Sequence, residues 1–261
     1  MTSDEPPESA SGVTRMRLFI VTLFPRLFAG WLEQGVVARA VQRGIVDLTL
    51  VNLREFGVGR HQITDDYPFG GGAGMVMKPE PIFAAVESLP LTRAAPRILL
   101  SPRGRLLRQP VAQALAAEHE LVLICGHYEG VDERVREHLI TDEISIGDYV
   151  LSSGELAAMA TADAVVRLLP GALASDSTEE ESFGRGLLEY PQYTRPARFR
   201  DWSVPDVLVS GNHGEVDRWR RRRAVELTAR RRPDLLLEAE LSQDERDWAG
   251  AAHLANHEDG A

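Results

Sequence analysis

The sequence predicts an α/β fold with a mostly parallel sheet, followed by a small all-helical domain. Three observations carry that expectation. Short apolar runs alternate with helical patterns through the first 170 residues, the mark of βα units. Two loops in the later part of this region are punctuated by glycine: Cys125-Gly126-His127-Tyr128-Glu129-Gly130, and the stretch from Ser145 to Glu155. Beyond residue 206, Val216, Trp219 and Leu227 recur as apolar anchors among arginines, which suits helices.

The elements follow in order. Residues 17–23, RLFIVTL, form a first strand, and residues 27–43 read as a helix. Residues 46–51 alternate polar and apolar side chains, as a strand at a sheet edge does. Residues 54–78 are loop-rich, 81–89 helical, and 97–101 a buried strand. A helix over 109–118 leads to Leu121-Val122-Leu123-Ile124, a run apolar enough for burial on both faces of a parallel sheet. A short helix spans 132–139, and a longer one spans 154–169 before Pro170-Gly171 stops it. Residues 171–196 lack apolar periodicity and carry Asp176, Glu179, Glu180 and Glu181, the composition of a mobile linker. The expected organisation is a disordered tail over 1–15, an α/β domain over 16–170, the linker, and a helical domain over 197–261 with an acidic C-terminal tail.

Bulk composition excludes several classes. Hydrophobic residues make up 44% and charged residues 26% of 261 positions, ordinary for a globular protein with a sizeable core. No apolar run nears the ~20 residues of a membrane span, so no membrane partner is expected. The first fifteen residues are acidic and rich in Pro and Ser, unlike a signal peptide. Cys125 is the only cysteine, which rules out an intrachain disulfide and fits a cytoplasmic setting. Its place after a strand suits a packed thiol, and no metal constellation accompanies it. The net charge of −10 conceals a basic segment: residues 197–232 hold ten arginines against five acids, while residues 233–261 hold eight acids and one arginine. Five arginines in the six positions 218–223 wrap most of a helix, a pattern that favours phosphate contact.

Glycines at 126, 130, 147 and 154 let backbone approach a ligand closely, and two such loops at the carboxyl ends of neighbouring strands are where an open α/β sheet binds one. The chain has neither a Walker phosphate loop nor a G-x-G-x-x-G after its first strand. The motifs CGHYEGVDERV and DEISIGDYVLSSGELAAM, with LFP at 23–25, DDYPFGGGAGM at 65–75, LSPRG at 100–104, LLEYPQYTRP at 187–196, SGNH at 210–213 and RRRPDLL at 230–236, resemble in order and spacing the bacterial tRNA (guanine-N1)-methyltransferases of the SPOUT class. The resemblance covers residues 17–237.

The resemblance implies a deep trefoil knot that binds S-adenosylmethionine, and transfer of its methyl group to N1 of guanosine-37 in tRNA. Position by position it assigns cofactor binding to Leu100, Ser101, Pro102, Gly126, Tyr128, Glu129, Gly130, Ile146, Gly147, Asp148, Tyr149, Val150, Leu151 and Gly154. His127 lies within the same loop. Asp65, Gly71, Gly72, Gly74 and Met75 would line the guanine pocket, where glycines leave space for a flipped base. Ser210, Asn212, His213, Arg220 and Arg223 would contact the tRNA. Carboxylates at 132, 133 and 148 could be solvated or could offset the positive charge of a sulfonium.

Methylation at N1 requires loss of the N1 proton and stabilisation of charge growing on O6. Arg167 matches the family arginine given the second role. Glu181 stands where the family has aspartate as the base. Its added methylene shifts the carboxylate by roughly 1 Å, a displacement that uncompensated costs about 10²-fold in rate. Glu180 and Asp176 are the neighbouring alternatives. The resemblance also implies a homodimer with the site at its interface, and leaves a Mg2+ dependence open. Two rival readings stand: a SPOUT-fold paralogue acting on a different guanine-like acceptor, and a non-catalytic RNA-binding protein.

Overall fold

The computed structural model describes residues 15–173, 181–183 and 186–258. The expected tail over 1–15 lies outside them except for Arg15, as do Asp176, Glu179 and Glu180. The chain divides into two compact units, Met1–Leu173 and Ala174–Ala261.

In the first unit, β1 (Met16–Thr22) leads through a 3-10 turn to α1 (Ala29–Glu33) and α2 (Gly35–Gln42), then β2 (Val46–Asn52). The single helix expected over 27–43 is therefore broken. Gln34 is extended at φ −138° and Gly35 has φ +89°, a conformation that glycine adopts without steric cost. The region expected to be loop-rich holds a two-residue antiparallel pair, β3 (Asp65–Asp66) with β4 (Val76–Met77). Next come α3 (Pro79–Glu87), β5 (Arg97–Leu106), α4 (Gln109–Ala116), β6 (Glu120–Cys125), α5 (Glu133–His138), β7 (Asp142–Ser145) and α6 (Glu155–Val166).

Five strands form one sheet in the order β2-β1-β6-β5-β7, every neighbouring pair parallel. The period of two along the strands sorts side chains between two cores. On one face Leu18 and Ile20 of β1 join Leu121 and Leu123 of β6, under α2, α4 and α6. On the other, Phe19 and Val21 join Val122 and Ile124, under α3 and α5. Every residue of β6 is buried, as its continuous apolar run requires. Among the described residues no helix is long and apolar enough to cross a membrane.

The second unit holds β8 (Arg198–Phe199), β9 (Trp202–Ser203), α7 (His213–Arg231) and α8 (Gln243–Glu258). It is not all-helical, because β8 and β9 pair as an antiparallel hairpin. Arg200 turns that hairpin with φ +55°, its guanidinium stacked 5.2 Å from the Phe199 ring and 5.8 Å from that of Trp202. Part of the expected linker is packed rather than mobile. Leu187 is buried with Ala224 and Val225 of α7, and Leu188 N donates to Thr228 Oγ1 at 2.9 Å. Nor is the acidic C-terminal segment a tail. It folds as α8, whose Ala249 and Ala252 are buried in the same cluster.

Candidate functional site

The strands β6, β5 and β7 lie side by side and parallel, so their carboxyl ends open on one edge of the sheet. The loops leaving them enclose a cavity of about 400 Å3. β5 contributes Leu100, Ser101, Pro102 and Arg103; the loop after β6 contributes Gly126, His127, Tyr128, Glu129 and Gly130. The loop after β7 adds Ile146, Gly147, Tyr149, Val150, Leu151 and Gly154. Asp148 alone among the residues assigned to the cofactor does not line the cavity. It is the exposed middle residue of a three-residue turn closed by Tyr149 N donating to Gly147 O at 2.9 Å.

Local packing explains this geometry. β5 pairs with β7 at Leu100↔Ile144 and again at Arg105↔Ile144, so residues 101–104 loop out of the ladder into the cavity wall. At the start of α6, a Cβ on Gly154 would lie 2.8 Å from Cys125 Cα and 2.7 Å from Gly126 N. Only glycine lets this helix close on β6, and Gly154 N donates to Gly126 O at 2.8 Å. Beneath, Glu155 is 1% exposed and accepts from Thr22 Oγ1 at 2.6 Å, tying the end of β1 to α6. Sequence reading missed Glu155, because a lone carboxylate at a helix start looks solvated. Burial first, then the Glu155 carboxylate, pushes the Cys125 thiol well above its ordinary range, which suits a packed thiol and not a nucleophile.

The segment carrying the glycine-rich loop is clamped to the loop after β6. Glu129 N donates to Met75 O at 3.0 Å, Met77 N to Gly130 O at 2.9 Å, and Asp132 N to Met77 O at 3.0 Å. Gly74, at φ +80°, sits where any Cβ would collide with the Glu129 side chain. The Asp65 carboxylate acts on the Tyr128 hydroxyl. Burial and then that carboxylate raise the Tyr128 hydroxyl above its ordinary range, against the opposing Arg54. The structure thus brings Asp65, Gly74 and Met75 to the cavity loops, while Gly71 and Gly72 lie in an exposed turn. His127 packs between Phe24 and Tyr128, ring centres at 5.2 and 4.3 Å.

Charges at the rim were only partly foreseen. Asp132 caps α5, and the hydrogen bond from Arg134 outweighs burial in holding its carboxyl below the ordinary range. Glu133 lines the cavity but is bound by Arg136 and reached by Arg103 at 3.4 Å. Arg136 also lies 3.7 Å from Glu143. Arg103 stood within the LSPRG motif and Glu143 within DEISIGDY, but neither motif singled out Arg136, which only the fold brings to Glu143.

The residues assigned to chemistry are not gathered at this cavity within the first unit. Arg167 follows the last turn of α6, thirteen residues after Gly154, about 20 Å away at 1.5 Å per residue. Glu181 belongs to the second unit, next to Ser182, whose hydroxyl accepts from Glu189 N at 3.0 Å. In that unit Asn212 caps α7 by accepting from Glu215 N at 3.4 Å, and its own N donates to Ser210 Oγ at 3.1 Å. His213 opens the helix, exposed. The arginine run is partly neutralised. Arg222 and Arg223 each reach Glu226 at 2.8 Å, and Arg221 reaches Glu245 at 2.6 Å.

A doubly covered parallel sheet with a cavity at its carboxyl edge defines a protein of the open α/β class, in which that edge is the usual place of a ligand site. The family model for tRNA (Guanine-1)-methyltransferase TrmD matches residues 16–238, and the chain belongs to that family. A curated relative from Geobacter sulfurreducens is 54% identical over 234 residues, spanning 89% of this chain and 96% of its own. One from Moorella thermoacetica is 56% identical over 235 residues, spanning 88% and 94%. A third, from Bacillus cereus, is 52% identical over 236 residues, spanning 89% and 97%. Each carries the name tRNA (guanine-N(1)-)-methyltransferase.

Proposed function

We propose that this chain transfers the methyl group of S-adenosylmethionine to N1 of guanosine-37 in tRNA. The observation that carries the reading is the cavity built from the loops after β5, β6 and β7 in a chain of this family. The cavity suits the cofactor on its own terms. Its volume falls within the ~300–1,000 Å3 of small-molecule sites. Backbone approaches so closely at Gly154 that a side chain is excluded, and on its lining His127 Nδ1 is buried without a hydrogen-bond partner, as is Glu143 Oε1, which meets Arg136 only as an ion pair at 3.7 Å.

The bound cofactor supplies an electrophilic methyl group. The chain's residues supply position and proton removal. Backbone of the loops after β6 and β7 would hold the cofactor, and Asp65, Gly74 and Met75 would place the guanine beside it. The Glu181 carboxylate would take the N1 proton, and the Arg167 guanidinium would stabilise negative charge on O6. Because Arg167 stands about 20 Å from Gly154 along α6, we propose a homodimer in which a second copy brings Arg167 to the cavity. The knotted path of the SPOUT class and a cytoplasmic setting, where tRNA substrate is met, belong to the same proposal. With arginines 221–223 held in close ion pairs, the proposed tRNA contacts are Arg220, which reaches Asp217 only at 3.9 Å, Ser210, Asn212 and His213, with Arg223 recruited only at the expense of Glu226.

The test is methyl transfer to an unmodified transcript with G at 37, read by nucleoside mass spectrometry. N1-methylguanosine at that position is expected. A product elsewhere would favour the paralogue reading, and no product with retained tRNA binding would favour the non-catalytic one. Titration of EDTA in the same assay decides the Mg2+ dependence.

A further inference from the structure

We infer that the second unit holds a binding site for one unstacked nucleobase of the RNA, other than the guanine that is methylated. The inference rests on the tRNA reading above. It starts from a second cavity, of about 470 Å3, built entirely from residues between 190 and 220. That volume also lies in the ~300–1,000 Å3 range of ligand sites.

The walls select the ligand. Tyr190, Tyr193 and Trp219 line the cavity with aromatic rings. The Tyr193 and Trp219 rings form a tilted pair, 6.3 Å apart and inclined by 57°, with the Arg223 guanidinium 5.7 Å from the centre of the Trp219 ring, and Tyr193 is 50% exposed, so its face stays open to a ligand. Arg220 lies with its guanidinium 5.1 Å from the centre of the Tyr190 ring, and its Nε is buried without a hydrogen-bond partner. A second cation, Arg195, lines the same space, and no Asp or Glu does. Gln192 and Thr194 add an amide and a hydroxyl able to meet polar edges.

Flat aromatic faces, cations and a few hydrogen-bonding groups are what a base on an anionic backbone requires. Stacking on Tyr or Trp holds any base by its π face, and arginine adds cation–π and phosphate attraction. A free phosphate would engage the cations and none of the three aromatic faces, and an acidic peptide would set carboxylates against them. The methylated guanine is placed by residues 65–75 of the first unit, so the base held here is a different one.

The experiment measures binding of the full chain to an unmodified tRNA transcript with G at 37, and to the same transcript made abasic at one position at a time. Trp219→Leu keeps bulk but removes the π face. It is expected to weaken binding by about tenfold, in the range of one lost base stack, with the salt slope unchanged. Trp219→Phe should restore most of the affinity. At one abasic position other than 37 the wild-type chain should show the same loss, with no further loss in Trp219→Leu. Tyr193→Leu, at a half-exposed ring, should couple to the same nucleotide, and it decides the matter if Trp219→Leu fails to fold by circular dichroism. Wild-type affinity in both leucine variants, or penalties that simply add at every abasic position, would overturn the inference. If the chain methylates G37 under those conditions, only the cavity reading fails. If the wild-type chain binds no transcript, both readings fail.

Discussion

Glu181 is where the chain departs from the aspartate of the family it resembles, so the test of the chemistry begins there. Removing the charge should remove only proton transfer. Glu181→Gln is expected to lower single-turnover methyl transfer by about 10²- to 10⁴-fold while leaving cofactor and tRNA affinity unchanged. Glu181→Asp should retain activity, because the carboxylate survives. Transfer by Glu181→Gln at the parent rate would shift the role to Glu180 or Asp176. Gly154 supplies the matching test for the cofactor. A valine there would drive its side chain into the backbone of Cys125 and Gly126. Calorimetry should show loss of S-adenosylmethionine binding in Gly154→Val, and full affinity would place the cofactor elsewhere. Both residues were singled out from sequence, but for different reasons. Glycine at a loop–helix junction announces close approach by its type, whereas Glu181 was legible only through resemblance.

At the scale of the element, β5 and α7 differ most from expectation. The sequence ended β5 at Ser101, because Pro102 and Gly104 ordinarily close a strand. The structure carries it on to Leu106 by looping residues 101–104 out and resuming the pairing with β7. Gly104 permits this, since a Cβ there would meet the backbone of Glu143 and Ile144. Gly104→Ala should therefore destabilise the unit by roughly 1–3 kcal/mol in a denaturant melt, the ordinary cost of overpacking. On α7, arginines that read as a phosphate-binding face are partly held by Glu226. Burial raises that carboxyl, but the hydrogen bonds from Arg222 and Arg223 prevail and hold it below its ordinary value of 4.5. A depressed carboxylate contributes stability that is fully present above its unfolded pKa and lost as pH falls through the folded one. The melting temperature of the wild type should thus exceed that of Glu226→Gln by a constant margin above about pH 6, with the margin shrinking below about 4.5. A margin independent of pH would show that these arginines do not hold Glu226. The apolar anchors Val216, Trp219 and Leu227 fall within α7, but their spacing could not reveal that Glu226 neutralises part of the helix's basic face.

For the whole molecule the decisive question is whether one chain completes a site. The cavity loops gather at the start of α6 and Arg167 follows its end, so the homodimer proposal makes a sharp prediction. Gly154→Val and Arg167→Ala should each be inactive alone. Mixed under conditions of subunit exchange they should regain methyl transfer, because one site of the heterodimer then combines the intact loops of one chain with the intact arginine of the other. Mixtures that stay inactive, with exchange verified by mass spectrometry, would place Arg167 and the loops in the same chain.

What the sequence determined by itself was the strands β1, β2 and β6 and the start of β5, the helices that follow them, the two glycine-punctuated loops at the cavity, and the family; β3, β4 and β7 emerged only in the structure. Each rests on local information: apolar runs of strand length, glycines where backbone must come close, and motifs in fixed order. Only the tertiary structure decided the break between Gln34 and Gly35, the pairing of β8 with β9, and the packing of Leu187 into a core from a segment that read as linker. It alone joined Met75 and Met77 to the loop after β6, fifty residues away in the chain. It also buried Glu155 beneath the cavity. Contacts of that kind depend on which distant backbone a residue meets, and free energy gained across the chain leaves no periodic trace along it.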